Sequence, residues 1–522
     1  MPIVACFTPN RVPELWLQKH KPVQLIVFSE THPRPGIHRE QTSYGEKIIV
    51  AYPAPQWKKE YPIACDILFT DEQRLTQART LQNQVQQIVG LTTLLKNYTW
   101  SAPHTQERRF GQKNPKQFSP TKTKHFLIIG AGLSGAFLAH SLRKYQQKVT
   151  IIDAGMTIAS QASALYAGLM HPHWQKQDHP LFALTRHGYH RLKKILQNHP
   201  DCFIPTGCLE IASSDLEEKE WEKAQEQNIP YCLPADLVHF VDRSQAEKIA
   251  GFPVLRGGWF YPRSGLVKIS RLCRALLKDC TIVPNTNVTL HSDRSGQIIA
   301  YIQQQKLSFD HIICATAYQT LQLLGMPYDL MPIDPIFGRI SILASPQEPQ
   351  PQTAVTGSGY FSSIDGFYAL GATYEKDLLM TASQAHQANL QQFSAISPVL
   401  SKHVAGGFYQ GIRAIARDRL PIVGAVTLPQ QLQNLSFAGV PERHQLPVAS
   451  NLWICTAMGS RGITWGSILA ENLVRTILQL PPVLPKSIEK AVDPQRFLIQ
   501  AYKKTKGLSP ITCESSNIPT HS

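Results

Sequence analysis

Three stretches of this chain combine residue types and spacings that can do chemistry. The first reads Gly130-Ala131-Gly132-Leu133-Ser134-Gly135 and is followed by Asp153. In such a turn the first glycine takes the tight bend and the second lets backbone approach a pyrophosphate. The third lets a helix pack close to a strand, and an acid about 20 residues on accepts hydrogen bonds from a ribose. The chemistry implied is the holding of a dinucleotide. The second stretch runs Gly411-Ile412-Arg413-Ala414-Ile415-Ala416-Arg417-Asp418-Arg419-Leu420-Pro421-Ile422-Val423-Gly424. Arg413, flanked by apolar residues, suggests a partly buried guanidinium whose planar fork suits a carboxylate. The third is Gly459-Ser460-Arg461-Gly462, between an apolar run from Trp453 and a periodic segment with Ile468, Leu469 and Leu473. A strand, a glycine turn and a helix N-terminus make a dipole site suited to negative charge.

These residues need elements to position them. Phe126-Leu127-Ile128-Ile129 reads as a strand buried on both faces, as in a parallel sheet, and Val149-Thr150-Ile151-Ile152 as a second strand ending at Asp153. Small residues from Ala159 to Ala164 let backbone pass close to a bulky ligand. His171 and His173 have no carboxylate or cysteine nearby and read as loop, so no metal is expected. Residues 181–199 have a helical pattern, Gly257-Gly258 and Gly265 suggest a turn returning the chain to the first domain, and Ile282–Val288 reads as a strand. His311 to Ala317 reads as a buried strand with small residues at its carboxyl end, where ligands sit in open α/β sheets. Thr356–Tyr360 and Tyr368–Thr373 give Pro332 to His403 a β-rich character. The fold class expected is α/β, a Rossmann-like dinucleotide domain with a β-rich substrate lobe. Residues 125–500 form that unit, the cofactor lobe mainly 125–330 and 405–480 and the substrate lobe mainly 332–403.

Residues 1–100 look like a small separate α/β unit. Strands are expected at 23–28 and 47–50, and Thr70-Asp71-Glu72-Gln73 has the form of a capping box. It opens a segment with Leu75, Leu81, Val85, Ile88, Leu91 and Leu95 at helical spacing. Gly36, Gly45 and Gly90 stand alone, so no cofactor loop is expected there, and His32, His38 and Trp57-Lys58-Lys59 read as surface. Residues 101–124 carry Pro103, Pro115 and Pro120 with Arg108, Arg109, Lys113, Lys116, Lys122 and Lys124, a basic linker by composition. Residues 501–522 form a tail.

Composition bounds the partners. The 522 residues are 43% hydrophobic and 17% charged, which fits a soluble globular chain of two or three domains. Ten cysteines without a C-x-x-C pair point to buried thiols in a reducing compartment. Neither a signal peptide nor an apolar run near the ~18 residues of a membrane span is evident, so a cytoplasmic protein is expected. Lys and Arg outnumber Asp and Glu by 52 to 37, a net charge of +15. A small-metabolite enzyme has no obvious use for that excess, whereas a polyphosphate partner does.

The ordered set Gly130-x-Gly132-x-x-Gly135, Asp153, Ala162-Ser163, Gly257-Gly258, Gly371-Ala372-Thr373, Gly411-Ile412-Arg413 and Gly459-Ser460-Arg461-Gly462 resembles the D-amino-acid/glycine oxidase family of flavoproteins. With Asp418-x-Leu420-Pro421-x-Val423-Gly424 and Asp493-Pro494-x-Arg496-Phe497, the resemblance narrows. It is then to the flavin domain of the bifunctional bacterial enzymes that build 5-methylaminomethyl-2-thiouridine in tRNA. The resemblance implies FAD, held by Gly130, Gly132, Ser134, Gly135, Asp153, Ala162, Ser163, Val288 and Gly459 to Gly462. It implies removal of the carboxymethyl group from 5-carboxymethylaminomethyl uridine at the tRNA wobble position. Arg413 would hold the substrate carboxylate, with Tyr360 near it. Ala164-Leu165 replaces the family's Gly-Asn after the Ala-Ser turn, and Ala317 replaces a glycine. The segment before the linker is short for the methyltransferase of those enzymes and lacks a loop for S-adenosylmethionine, so no methyl transfer is expected.

Three other readings compete. A free glycine, sarcosine or D-amino-acid oxidase needs no basic surface. A catalytically silent tRNA-binding protein has no reason to keep Arg413 and every turn glycine. A nicotinamide dehydrogenase has no use for the distant Gly459 turn.

Overall fold

The apolar run at 126–129 becomes the strand His125–Ile129, and its alternation is read by two cores at once. Phe126 and Ile128 face one buried cluster, Leu127 and Ile129 another. In the computed structural model the described residues are 122–505, apart from 173–179, 227–236, 294–295, 345–350, 378, 401–404 and 434, together with six strands between Ile3 and Gly90. The strand His125–Ile129 sits inside a six-stranded sheet. Its order is 281–283, 148–152, 125–129, 311–314, 452–456, 422–425, parallel except for the last pair. Helices Leu133–Lys144, Pro180–Gln197, Ile269–Leu277 and Gly462–Ile477 bury their apolar residues on one side. Phe497, Leu498 and Tyr502 of the helix Gln495–Lys504 join the cluster on the other.

A second sheet has eight strands in the order 239–241, 258–261, 208–211, 354–356, 360–364, 367–371, 333–344, 405–416. All pairings are antiparallel except 208–211 with 354–356. The helix Ala382–Ser394 covers it through Leu390 and Phe393. The long strands Ile333–Ala344 and Ala405–Ala416 join the lobes. Ile333, Ala414 and Ala416 pack in the cofactor-side cluster, and Leu343 in the core of the second sheet.

Three expectations change. The second sheet draws strands from 208–261 as well as from the expected 332–403, and the strand 405–416 belongs to it. Gly258–Tyr261 is a strand of that sheet, and the chain returns to the cofactor lobe only after Gly265–Val267, at the helix Ile269–Leu277. A Cβ on Gly258 would overlap the Glu210 carbonyl, so this glycine serves close strand packing, which looks like a turn signal in sequence. Residues 282–288 divide between strands Thr281–Val283 and Val288–Ser292, with Asn285 at φ +49° between them.

Near the N-terminus, strands Gln24–Ser29 and Gly45–Ala51 match the expected ones. They belong to a six-stranded sheet ordered 36–42, 45–51, 24–29, 3–6, 65–70, 85–90, parallel except for the first pair. Within the segment expected to be helical, Val85–Gly90 is a strand, because apolar residues three apart also fit a short strand; residues 71–84 and 91–95 of that segment lie outside the described residues. His32, Trp57-Lys58-Lys59, Asp71 to Gln73, linker residues 101–121 and His173 lie outside the described residues, as do residues 506–522 of the tail expected from 501, whose first residues instead end the helix Gln495–Lys504.

Candidate active site

Each glycine of the first stretch has a measurable reason. Gly130 leaves its strand at φ +111°, where side chains are strained, and a Cβ there would stand 2.6 Å from the Ala315 carbonyl oxygen. A Cβ on Gly135 would overlap the Gly130 carbonyl oxygen, so the helix Leu133–Lys144 lies on the strand only because this residue is glycine. Gly132 is the N-cap, its Cβ position 3.2 Å from Ser163 Oγ. Ser163 Oγ accepts from the Leu133 N–H at 3.0 Å, which fastens the turn Ala162–Ala164 to the helix start. Ser134 and Gly135 follow in the first turn, where N–H groups have no preceding carbonyl to bond.

Asp153 closes the second strand. Its carboxylate accepts from the Ala131 N–H at 2.5 Å and the Gly155 N–H at 2.7 Å. A carboxylate offers about four lone-pair sites, so acceptor capacity is left for ribose hydroxyls. The chain leading to Val288 is tied to the same loop: Asn285 N–H donates to Gly155 O at 2.9 Å and Thr286 N–H to Asp153 O at 3.0 Å. A tight glycine turn, a positive helix end and an acid at the rim fit the pyrophosphate and ribose of FAD. Ala317, which stands where the resemblance expects glycine, takes φ +51°, a backbone that favours glycine.

Arg413 lies on the strand Ala405–Ala416, paired with Ile336. Its guanidinium occupies the space a side chain on Gly338 would take, 2.6 Å from Cζ to the would-be Cβ. Arg413 Nη1 donates to Thr373 O at 3.1 Å, and no carboxylate pairs with it among the described residues. Burial lowers its pKa, while Tyr374 and Tyr409 act in the opposite direction. Tyr409, four residues before Arg413, shares its face of the strand. The Tyr409 hydroxyl donates toward Gln161 O at 2.9 Å and Ala162 O at 3.0 Å. A Cβ on Gly411 would stand 3.3 Å from Ala162 Cα. The face carrying Arg413 therefore meets the turn that caps the cofactor helix.

Tyr360 reaches the same face through the register Tyr360–Gly371–Ile340–Tyr409. It is packed against the cluster containing Ile340, its hydroxyl shares a 2.6 Å hydrogen bond with Ser362 Oγ, and burial pushes its pKa up to about 12. Tyr409, with its pKa also raised to about 12 by burial, is the tyrosine on Arg413's own strand. Sequence reasoning missed it, although its spacing of four from Arg413 in a strand was the available signal.

The third stretch arrives beside the second. Gly459–Arg461 is a short 3-10 turn, with Gly459 at φ +56°, leading into the helix Gly462–Ile477. A bridge between Ile415 and Met458 sets it against the strand of Arg413. Ser460 is exposed, and Arg461 lies over the Trp465 ring at 5.4 Å. Burial lowers the Arg461 pKa, with the charge of Glu210 opposing. The two motifs at 418–424 and 493–497 prove to be one contact. Arg496 holds the Asp418 carboxylate by a fork, Nε to Oδ2 at 2.7 Å and Nη2 to Oδ1 at 3.0 Å. Gly424 leaves room for Pro494, whose Cδ would be 2.8 Å from a Cβ. Among the described residues no cluster of His, Cys, Asp or Glu could hold a metal ion, and no helix is long and apolar enough to cross a membrane.

A lobe with a glycine cradle for a dinucleotide, abutting a sheet that presents an arginine, defines a flavin-type oxidoreductase. Residues 125–476 match the model of the FAD dependent oxidoreductase family, and the chain belongs to that family. It is 27% identical over 432 residues to the tRNA 5-methylaminomethyl-2-thiouridine biosynthesis bifunctional protein of Burkholderia thailandensis, covering 77% of this chain and 64% of that one. To the Azoarcus protein of the same description it is 29% identical over 400 residues, covering 73% and 61%. The chain thus spans under two thirds of the length of these relatives. Iminodiacetate oxidase from Chelativorans shares the fold at TM-score 0.56 and 22% identity, covering 74% of this chain and 100% of that one. Glycine oxidase from Bacillus cereus does so at TM-score 0.55 and 18% identity, covering 68% and 95%.

Proposed function

We propose that this chain removes the carboxymethyl group from 5-carboxymethylaminomethyl-(2-thio)uridine at the tRNA wobble position, giving 5-aminomethyl-(2-thio)uridine and glyoxylate. The observation that carries this reading is Arg413, a half-buried guanidinium without a carboxylate partner among the described residues, on the face that meets the Ala162-Ser163 turn. The substrate presents N–CH2–COO⁻, and the donors left on Arg413 suit that carboxylate as a fork. One Arg413 N–H is already spent on Thr373 O, which fixes the fork's orientation before substrate arrives.

When bound, FAD supplies the two-electron acceptor for the hydride that leaves the α-carbon. The amine lone pair closes a C=N bond as that hydride leaves, and water cleaves the imine to glyoxylate and the primary amine. Arg413 anchors the carboxylate and thereby the α-carbon, with Tyr360 on the same face, and no acid–base residue is required. Gly130, Gly132, Ser134, Gly135, Asp153, Ala162, Ser163, Val288 and the turn Gly459 to Gly462 hold the cofactor. The net charge of +15 supports a polyphosphate partner, and the names of the relatives support tRNA as that partner. Mass spectrometry of wobble uridines from cells with and without the gene tests the reading. Loss of the gene should leave carboxymethylaminomethyl uridine unprocessed, and an unchanged uridine profile would refute it.

A further inference from the structure

We propose that Tyr374 is a stacking platform for the substrate's own nucleobase, and that it makes this site select an amine carried on single-stranded RNA over a free one. The proposal rests on the tRNA reading above. Phe337 and Glu375 exchange both backbone hydrogen bonds, Phe337 N–H to Glu375 O at 2.8 Å and Glu375 N–H to Phe337 O at 2.9 Å. Thr373 N–H donates to Arg339 O at 3.1 Å, and Arg339 N–H to Thr373 Oγ1 at 2.9 Å. Residues 373–375 therefore run antiparallel to 337–339, and Tyr374 stands opposite Gly338.

Opposed residues of a sheet project to the same face. That face at Gly338 is filled by the Arg413 guanidinium. Tyr374 thus projects on the side of Arg413, and its influence on the Arg413 charge agrees with that placement. Its neighbours Thr373 and Glu375 are buried at 1% and 6%, while Tyr374 is 53% exposed. The backbone is clamped on both sides of an aromatic ring left open to solvent.

A nucleobase stacked on an aromatic ring gains about 1–3 kcal/mol and needs no hydrogen-bond code. The uracil ring is joined to the carboxylate by a short CH2–NH–CH2 arm, so a base on Tyr374 delivers the carboxylate to the neighbouring Arg413. Glycine or sarcosine has no ring to place there.

The test compares anaerobic flavin reduction by an anticodon stem-loop bearing carboxymethylaminomethyl uridine with reduction by sarcosine. Wild type, Tyr374→Phe and Tyr374→Ala are used as FAD-loaded full chains, with Tyr374→Leu in place of the alanine variant should that lose FAD. The ratio of efficiencies, stem-loop over sarcosine, should fall at least about fivefold in Tyr374→Ala and stay within about twofold in Tyr374→Phe. Where sarcosine gives no measurable reduction, the stem-loop Kd alone should rise by that factor. A ratio unchanged in Tyr374→Ala, whether both substrates lose equally or neither does, would overturn the proposal. Reduction of wild type by sarcosine but not by the stem-loop would instead sink the tRNA reading, and the platform with it.

Discussion

Arg413→Lys tests the substrate site with the least disturbance elsewhere. The positive charge survives, but the fork does not. In the native site the guanidinium lies over Gly338 with Nη1 held by Thr373 O at 3.1 Å, which leaves the other donors of the fork for a carboxylate. A lysine ammonium at that depth is a single point that cannot both keep the Thr373 contact and grip a carboxylate at two oxygens. Losing one charge-assisted hydrogen bond costs about 1.5–3 kcal/mol. At about 1.4 kcal/mol per factor of ten, flavin reduction by carboxymethylaminomethyl tRNA should slow roughly ten- to over a hundredfold. FAD content should not change, because the cradle at 130–135 is built on the other sheet. Stopped-flow loss of the oxidised flavin's absorbance reads the rate directly. A reduction rate within about twofold of wild type, with tRNA affinity collapsing instead, would make Arg413 a phosphate contact and not a carboxylate clamp.

Gly135→Ala should abolish FAD retention or yield insoluble protein, since the added methyl overlaps the Gly130 carbonyl; a fully flavinated variant would disprove the close packing. Ala317→Gly should raise the melting temperature by an amount worth about 1 kcal/mol, because Ala317 holds φ +51°, and a lower melting temperature would contradict this. Glu471 is buried against Lys144, Arg191 and Tyr145, with contacts of 2.9, 2.7 and 2.6 Å. Burial alone would raise its pKa, but the charges of Arg191 and Lys144 and the hydrogen bonds from Lys144 and Tyr145 hold it lowered from 4.5. That stabilisation is complete above 4.5 and fades as pH falls through the lower folded value. Glu471→Gln should cost about 3 kcal/mol near neutrality and flatten the stability profile below pH 4.5 in urea melts at stepped pH; parallel profiles would refute the assignment.

What was legible in the sequence was what short-range geometry decides. Four apolar residues before Gly130, a helix after it and an acid at Asp153 can be read as one unit, because turn, strand and helix are contiguous. Arg413 stood out because its neighbours along the chain are apolar. The strand 85–90 was hidden, since Val85 and Ile88 satisfy a helix period as well as a strand. The Gly257-Gly258 pair looked like a turn because its true constraints, the Val241 carbonyl against Gly257 and the Glu210 carbonyl against Gly258, lie on other strands. Tyr374 was invisible for the same reason. Its proposed role comes from standing across from Gly338 on the side of Arg413, a juxtaposition made by the strands 333–344 and 405–416 and the bridged segment 373–375. Asp418 and Arg496 were each noticed, yet only folding reveals that the two motifs are one contact.

In the proposed reaction this flavoprotein takes its electrons from the carboxymethylamino group of a wobble uridine. A single anaerobic turnover tests it most directly: FAD-loaded protein mixed with carboxymethylaminomethyl tRNA, followed by mass spectrometry of the uridine and assay of glyoxylate. The expected result is bleaching of the flavin with one aminomethyl uridine and one glyoxylate formed per flavin reduced. A flavin that bleaches with free glycine or sarcosine while the tRNA emerges unaltered would contradict it.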